Sequence, residues 1–177
     1  NTKILDLEID GSNVEIKLVD GRTINSNYIV DASGFQTILA NKYKLRSYDL
    51  ETHSRAIFTH AVDIPSFHKV ANSQKQYGIP YSLHEGTLHH VFEGGWLWVI
   101  PFDNHKESTN HLCSVGLLLD PKVFPERLEL SAEEEFFEFI QRFPGIHKQL
   151  KNLKSVRVWT RTGRIQYSTK KVIGNRF

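Results

Sequence analysis

Along most of the chain apolar and polar residues alternate with a period of two, the spacing that gives a β-strand one inward and one outward face. Ile4, Leu5, Leu7 and Ile9 are followed by Gly11-Ser12-Asn13, and Val14, Ile16 and Leu18 then alternate with Glu15 and Lys17 as far as Asp20-Gly21. This predicts two strands joined by a turn. Thr23-Ile24 resumes extended structure, and Tyr28-Ile29-Val30 reads as a buried strand ending at Asp31-Ala32-Ser33-Gly34, where Asp31 or Ser33 can cap the next segment. The pattern then changes to a helical spacing, with Phe35, Ile38 and Leu39 on one face of a short helix reaching Tyr43. Lys42, Lys44 and Arg46 read as a solvated edge.

Alternation returns at Arg55 to Ile64, a strand stopped by Pro65. Residues 66–83 are mixed in pattern and read as a mobile loop or lid. Thr87 to Phe92, Gly94 to Pro101 and His111 to Asp120 are successive strands of an antiparallel sheet, the last two separated by a polar turn. In Gly94-Gly95-Trp96-Leu97-Trp98-Val99-Ile100-Pro101, a period of two puts Trp96, Trp98 and Ile100 on one face and Leu97 and Val99 on the other. That makes a wide aromatic wall, able to stack on a flat ring and unable to move a proton. Ser131-Ala132-Glu133-Glu134 matches a capping box opening a helix whose Phe136, Phe139, Ile140 and Phe143 face the sheet. Glu133, Glu134, Glu135 and Glu138 read as its solvated face, matched to the helix dipole. Pro144-Gly145 breaks that helix, residues 146–153 form a second short one, and Val156, Val158 and Thr160 alternate into a last strand. The fold class is α+β, an antiparallel or mixed sheet packed with helices.

The composition, 40% hydrophobic and 24% charged, is that of an ordinary globular protein, and no apolar run is long enough to span a membrane as a helix. A formal charge of +2 with both signs interspersed gives no footprint for nucleic acid. Cys113 is the only cysteine, which excludes an internal disulfide and fits a reducing, cytoplasmic setting. The chain has no methionine at any position, so we expect it to be a middle piece of a longer protein.

Several chemistries lack their residues. The nine histidines include no His-x-x-x-His pair and the lone cysteine excludes Cys-x-x-Cys, so no metal site is expected. There is no Gly-x-Ser-x-Gly elbow, no Walker loop and no Gly-x-Gly-x-x-Gly turn.

The spelling Trp-x-Trp-x-Ile-Pro at Trp96 to Pro101 resembles the signature of the flavin-dependent halogenases, tryptophan-type members of the FAD-dependent monooxygenase superfamily. Ile29 to Gly34 upstream, Ser114 to Asp120 downstream and the closing Val172-Ile173-Gly174-Asn175-Arg176-Phe177 sit where that family leads one to expect them. The resemblance covers nearly the whole chain and implies an α/β parent with a two-dinucleotide-type FAD-binding domain. Residues 1–48 would contribute part of that domain, 49–167 the substrate-side sheet and helix domain, and 168–177 the return toward the first. Asp31, Ala32, Ser33 and Gly34 would lie near FAD, where small residues let backbone approach a cofactor. Trp96, Trp98, Ile100 and Pro101 would partition flavin from substrate. The family's catalytic lysine and glycine-rich FAD turn would lie outside this chain, so no catalytic residue is assigned here, and the isolated chain is expected to be inactive with little FAD affinity.

The implied activity uses reduced FAD supplied by a flavin reductase, oxygen, and chloride or bromide as co-substrate. Its target would be an electron-rich aromatic or other small organic molecule, free or tethered to a carrier protein. Two alternatives stay open: an FAD-dependent monooxygenase or isoprenoid-type reductase without halide chemistry, and a non-catalytic aromatic-walled binding module.

Overall fold

The computed structural model describes residues 2–71 and 78–177. The chain divides into one unit of Asn1–Glu51 with Tyr167–Phe177 and another of Thr52–Gln166. In the first, the alternation of the opening residues produces an antiparallel meander of β1 (Ile4–Ile9), β2 (Val14–Leu18) and β3 (Thr23–Ser26). Asp10 closes the first turn by accepting from the Ser12 and Asn13 amides, each at 2.6 Å. Gly21 turns the second at φ 85°, a conformation that costs any residue with a Cβ. Leu7, Val14, Leu18 and Leu39 form the buried set of this unit.

The meander stops there, and the buried strand expected at Tyr28-Ile29-Val30 does not form. Tyr28 is 72% and Val30 88% exposed, and the Ile29 amide donates to the Arg176 carbonyl at 3.0 Å rather than into a ladder. Alternation supplies a face, but a strand also needs a neighbour for its backbone groups. The helix expected from Phe35 is also shorter. A 3-10 turn at Gly34–Gln36 is separated from α1 (Ile38–Lys42) by Thr37 at φ 43°, which leaves Phe35 off the helix and 66% exposed.

The solvated edge predicted from the basic residues is corrected at two positions. Lys42 Nζ bridges Asp6 and Glu8 at 2.8 and 3.0 Å. Arg46, on β4 (Arg46–Ser47), lies 4.6, 5.5 and 4.4 Å from the ring centroids of Phe35, Tyr48 and Tyr167. A guanidinium against aromatic faces loses less hydration than an ammonium would, which is why arginine fills this slot. β4 pairs with the last strand of the chain, β11 (Ser168–Thr169), closing the unit.

The second unit is built on a larger antiparallel sheet. β5 (Arg55–Val62) pairs with β8 (Cys113–Leu119), β8 with β7 (Gly95–Pro101), and β7 with β6 (Leu88–Phe92). On the other edge of β5 lie two short strands, β9 (Lys154–Ser155) and β10 (Thr160–Thr162). The strand expected from Val156 to Thr160 is thus interrupted. Val158 is 90% exposed, while Trp159 packs its ring 4.5 Å from that of Phe136. A large indole gains more from burial than a valine, so Trp159 decides which way the segment faces.

α2 (Phe67–Ala71) occupies part of the stretch expected to be a loop or lid, and residues 72–77 of that expectation lie outside the described residues. The core lies on one face of the sheet. Ile57, Leu97, Val99, Val115, Leu117 and Leu119 meet Phe136, Phe139 and Ile140 of α3 (Ala132–Ile140) and Ile146 and Leu150 of α4 (Pro144–Leu150). The capping box at the start of α3 forms in both directions, Ser131 with Glu134. Proline at the first position of α4 starts that helix as well as ending the last, since its missing N–H is one that position leaves unbonded anyway.

Glu135 corrects the reading of α3 as having four solvated glutamates. It is 3% exposed, and its carboxylate accepts from Arg55 Nη2 at 2.6 Å and Arg161 Nη2 at 2.7 Å. It stands four residues before Phe139 and therefore on the sheet-facing side, where only a paired charge is tolerated. Arg55 also donates to the carbonyls of Phe124 and Pro125, tying the β8–α3 connection to the sheet.

Candidate functional site

The strand registers define the other face of this sheet residue by residue. Directly opposed residues share a face, so one row runs Phe58, Gly116, Trp98, His89, a second Ala56, Leu118, Trp96, Val91, and a third His60, Ser114, Ile100. None of these side chains carries a formal charge while the histidines are neutral. The face is aromatic and mostly half-buried, whereas the opposite face of the same strands is closed by helices. It is suited to a flat, neutral or weakly polar ring.

Trp96 and Trp98 lie 5.6 Å apart between ring centroids and 53° from parallel. Trp98 donates its Nε1–H to Ser114 Oγ at 3.1 Å and leans across β8 toward Phe58, 6.2 Å away. Gly116 lies directly beneath. A Cβ there would fall 2.2 Å from Cζ2 and 2.4 Å from Cη2 of Trp98, so only glycine leaves room for the ring. Trp96 is braced from the other side, by the His89 ring at 4.8 Å in an edge-to-face arrangement. His60 is half-buried with its ring 5.7 Å from that of Phe102. The imidazoles are the groups on this face able to accept and release a proton; the indoles shape and exclude.

Trp96, Trp98 and Ile100 therefore stand together where the period-two reading put them. Pro101 does not. It pairs with Cys113 on the helix-covered face and is buried there, as the same alternation requires one residue beyond Ile100. Pro101 instead lines a cleft of about 430 Å³ with Val99, Leu88, Phe67 and Cys113. At that cleft Asp103 accepts from His84 Nε2 at 2.9 Å, with His111 Nδ1 at 3.5 Å. Desolvation pushes the Asp103 carboxyl upward, but the hydrogen bonds from His84 and His111 outweigh it and hold it below its ordinary value. Burial drives the Cys113 thiol up to about 12, which makes it a packing residue and a poor nucleophile. His90, beside His89 in sequence, points to the core side and bonds Gln149 at 3.2 Å; burial lowers its pKa, and the glutamine contact only partly offsets this.

In the first unit Asp31 and Ser33 act as caps. Asp31 accepts from the Ser33 amide at 3.0 Å and the Leu39 amide at 2.9 Å, and Ser33 Oγ accepts from the Ile38 amide at 3.2 Å. Burial favours protonation of Asp31, but the hydrogen bond from the Ser33 hydroxyl, with those from the Ser33 and Leu39 amides, prevails and keeps it low. Asp31 and Gly34 also line a cleft of about 600 Å³, walled by Val30, Leu39, Tyr167 and Phe177. Gly34 sits at φ 61° with nothing within 4 Å of where a Cβ would be, so its backbone is open to a ligand. The cleft's size and apolar walls fit part of an extended nucleotide cofactor, and Lys171 is the cationic residue on its lining. Ala32 is exposed beside it.

Sequence reasoning missed the residues that hold the indoles. Phe58, His60 and His89 become wall residues only through cross-strand register, which one strand's alternation does not reveal. The signal within reach was Gly116, a glycine in the middle of an apolar strand, which marks a close approach.

No protein-family model matches the chain. It is 42% identical over 177 residues to the tetracycline 7-halogenase of Kitasatospora aureofaciens, covering 99% of this chain and 32% of that protein. It is likewise 42% identical over 178 residues to the monodechloroaminopyrrolnitrin halogenase PrnC of Pseudomonas fluorescens, covering 99% of this chain and 31% of that one. Its fold superimposes on a crystal structure of halogenase PltM in complex with phloroglucinol and FAD with a TM-score of 0.90 at 31% identity, covering 96% of this chain and 34% of the other. The chain spans about a third of the length of the curated relatives it matches.

Proposed function

As a segment of the flavin-dependent halogenase family, which its sequence and fold make it, the chain supplies an aromatic sheet face and a nucleotide-sized cleft, and we propose that the intact protein halogenates an electron-rich small organic molecule. Reduced FAD, oxygen and chloride or bromide are the co-reactants, with a flavin reductase as the source of reduced flavin. When bound, the flavin supplies the oxidising chemistry; the residues here bind, orient and exclude. The unit of Asn1–Glu51 and Tyr167–Phe177 is the part of the FAD-binding domain in this chain, and the unit Thr52–Gln166 is the substrate-side domain.

The observation that carries this reading is the wall. Trp96 and Trp98 stand side by side on β7 in an uncharged face, and the indole pair can stack on a flat ring and keep water from it without itself acting as a base. Toward the cofactor, the open backbone at Gly34 and the apolar sides of its cleft hold part of FAD, while Asp31 and Ser33 shape the turn through their bonds to neighbouring amides. The buried free thiol of Cys113 fits a reducing cytoplasm. Among the described residues no helix is long and apolar enough to cross a membrane. The substrate, free or carrier-tethered, is a ring that this wall accommodates.

The test is the intact protein with FAD, a flavin reductase, bromide and a panel of phenols, pyrroles and indoles, read by mass spectrometry. A brominated product is expected. An oxygenated or reduced product that forms equally well without bromide sinks the halogenase reading.

A further inference from the structure

The two indoles of the wall are held differently. Beyond its neighbour indole, Trp96 is braced by an exposed imidazole on the neighbouring edge strand, whereas Trp98 is held by a central strand. Its Nε1–H reaches Ser114 Oγ at 3.1 Å, and two residues further along the same face of β8 its Cζ2 and Cη2 occupy the space where a Cβ on Gly116 would stand, at 2.2 and 2.4 Å. The indole edge running from Nε1 to Cζ2 is thus laid along β8, bonded at one end and seated in a notch at the other. Ser114 and Gly116 are on the wall face opposite Ile100 and Trp98, so neither contributes to the core. A serine and a glycine within the otherwise apolar run Cys113–Leu119 make no sense as packing residues, since each removes apolar volume from a strand centre.

We infer that Ser114 and Gly116 are positioning residues for Trp98, fixing the plane of its indole across the wall, and that this plane sets how much of the reaction ends in halogenated product. The first half of the inference stands on geometry alone; the second rests on the function proposed above. A tryptophan with neither anchor still contributes bulk but samples several rotamers, and a wall that swings opens a path for water and misplaces the ring it faces. The hydroxyl of Ser114 removes rotation about the terminal torsion, and the absent side chain of Gly116 removes the one obstacle to the seated rotamer.

The test uses the intact protein labelled with 15N-tryptophan, the Trp98 indole signal being identified by its loss in Trp98→Phe. In Ser114→Ala the Trp98 Nε1–H signal shifts and exchanges with solvent about five-fold faster, the factor for a lost neutral hydrogen bond, while Ser114→Thr keeps both near the parent. Gly116→Ala displaces the same signal and lowers the melting temperature; Trp98→Phe in the Gly116→Ala background recovers part of the loss, because a phenyl ring does not reach the notch while the new Cβ still meets Phe58 Cβ at 2.7 Å. In turnover, Ser114→Ala yields a smaller halogenated fraction per reduced flavin consumed, and Ser114→Thr recovers it. An unmoved Trp98 signal in Ser114→Ala overturns the positioning role. A moved signal with an unchanged product fraction overturns the link to product yield. A moved signal in a protein that never halogenates upholds the positioning and removes the functional reading beneath the second half.

Discussion

The two faces of the β6–β7–β8–β5 sheet are made by the same strands and obey opposite rules. On the helix-covered face, Ile57, Leu97, Val115, Leu117 and Leu119 are all at 0% exposure and meet aliphatic and aromatic partners from α3 and α4. On the other, the indoles, His60 and Ser114 stand half-buried beside an exposed His89 and over a buried Gly116, fixed to one another by single hydrogen bonds and ring edges. One face is filled for stability. The other is arranged for shape, and away from the notch at Gly116 it loses little stability if one of its members changes.

That contrast can be broken most forcefully from the core side. Glu135→Ala leaves the Arg55 and Arg161 guanidiniums without their shared carboxylate and is expected to destabilise by about 3–5 kcal/mol, read from urea unfolding. Leu117→Ala opens a cavity at the centre of the core face and costs about 2–5 kcal/mol by the same measurement. Trp96→Phe, on the wall, is expected to cost less than about 1.5 kcal/mol, a size-reducing change at a half-buried site, while altering the ratio of halogenated to non-halogenated product. Equal stability losses at Leu117 and Trp96 would remove the distinction between the faces.

Two subtler measurements sharpen it. His89 and His90 are neighbours in sequence on opposite faces, and burial of His90 lowers its folded pKa below the ordinary 6.5. The unfolded chain then binds the proton first, so stability falls as pH drops through 6.5 toward the lower folded value and levels off below it. His90→Gln is expected to flatten that part of the urea-midpoint profile. Cys113, with its thiol pushed up to about 12, should resist a thiol-specific reagent in the native protein and react on unfolding. Rapid labelling of native protein near neutral pH would contradict the packing described for the core side.

The strands, both turns of the opening meander and the capped helix were legible because each is encoded within a few residues: Ser131 and Glu134 bond reciprocally, and Val14, Ile16 and Leu18 alternate without interruption. What was not legible depended on partners distant in sequence. Tyr28 to Val30 has the composition of a strand and finds no ladder, and Glu135 reads as one solvated glutamate among four until Arg55 and Arg161 are brought to it. The wall was half legible for the same reason. Trp96 and Trp98 announce themselves on one strand, but His60, Ser114 and Gly116 join them only through the register of β5 and β8 with β7. Pro101 belonged to the recognised spelling and not to the face, because a motif is contiguous along a strand and a face takes every second residue.

The position of β6 has a practical side. It ends the path of the sheet, and its Val91 is 80% exposed on an edge whose outward backbone groups have no strand beside them among the described residues. An edge of that kind is a template for a second chain. Preparations of this chain alone will self-associate as concentration rises, and Val91→Lys should delay it, visible as a later onset of light scattering.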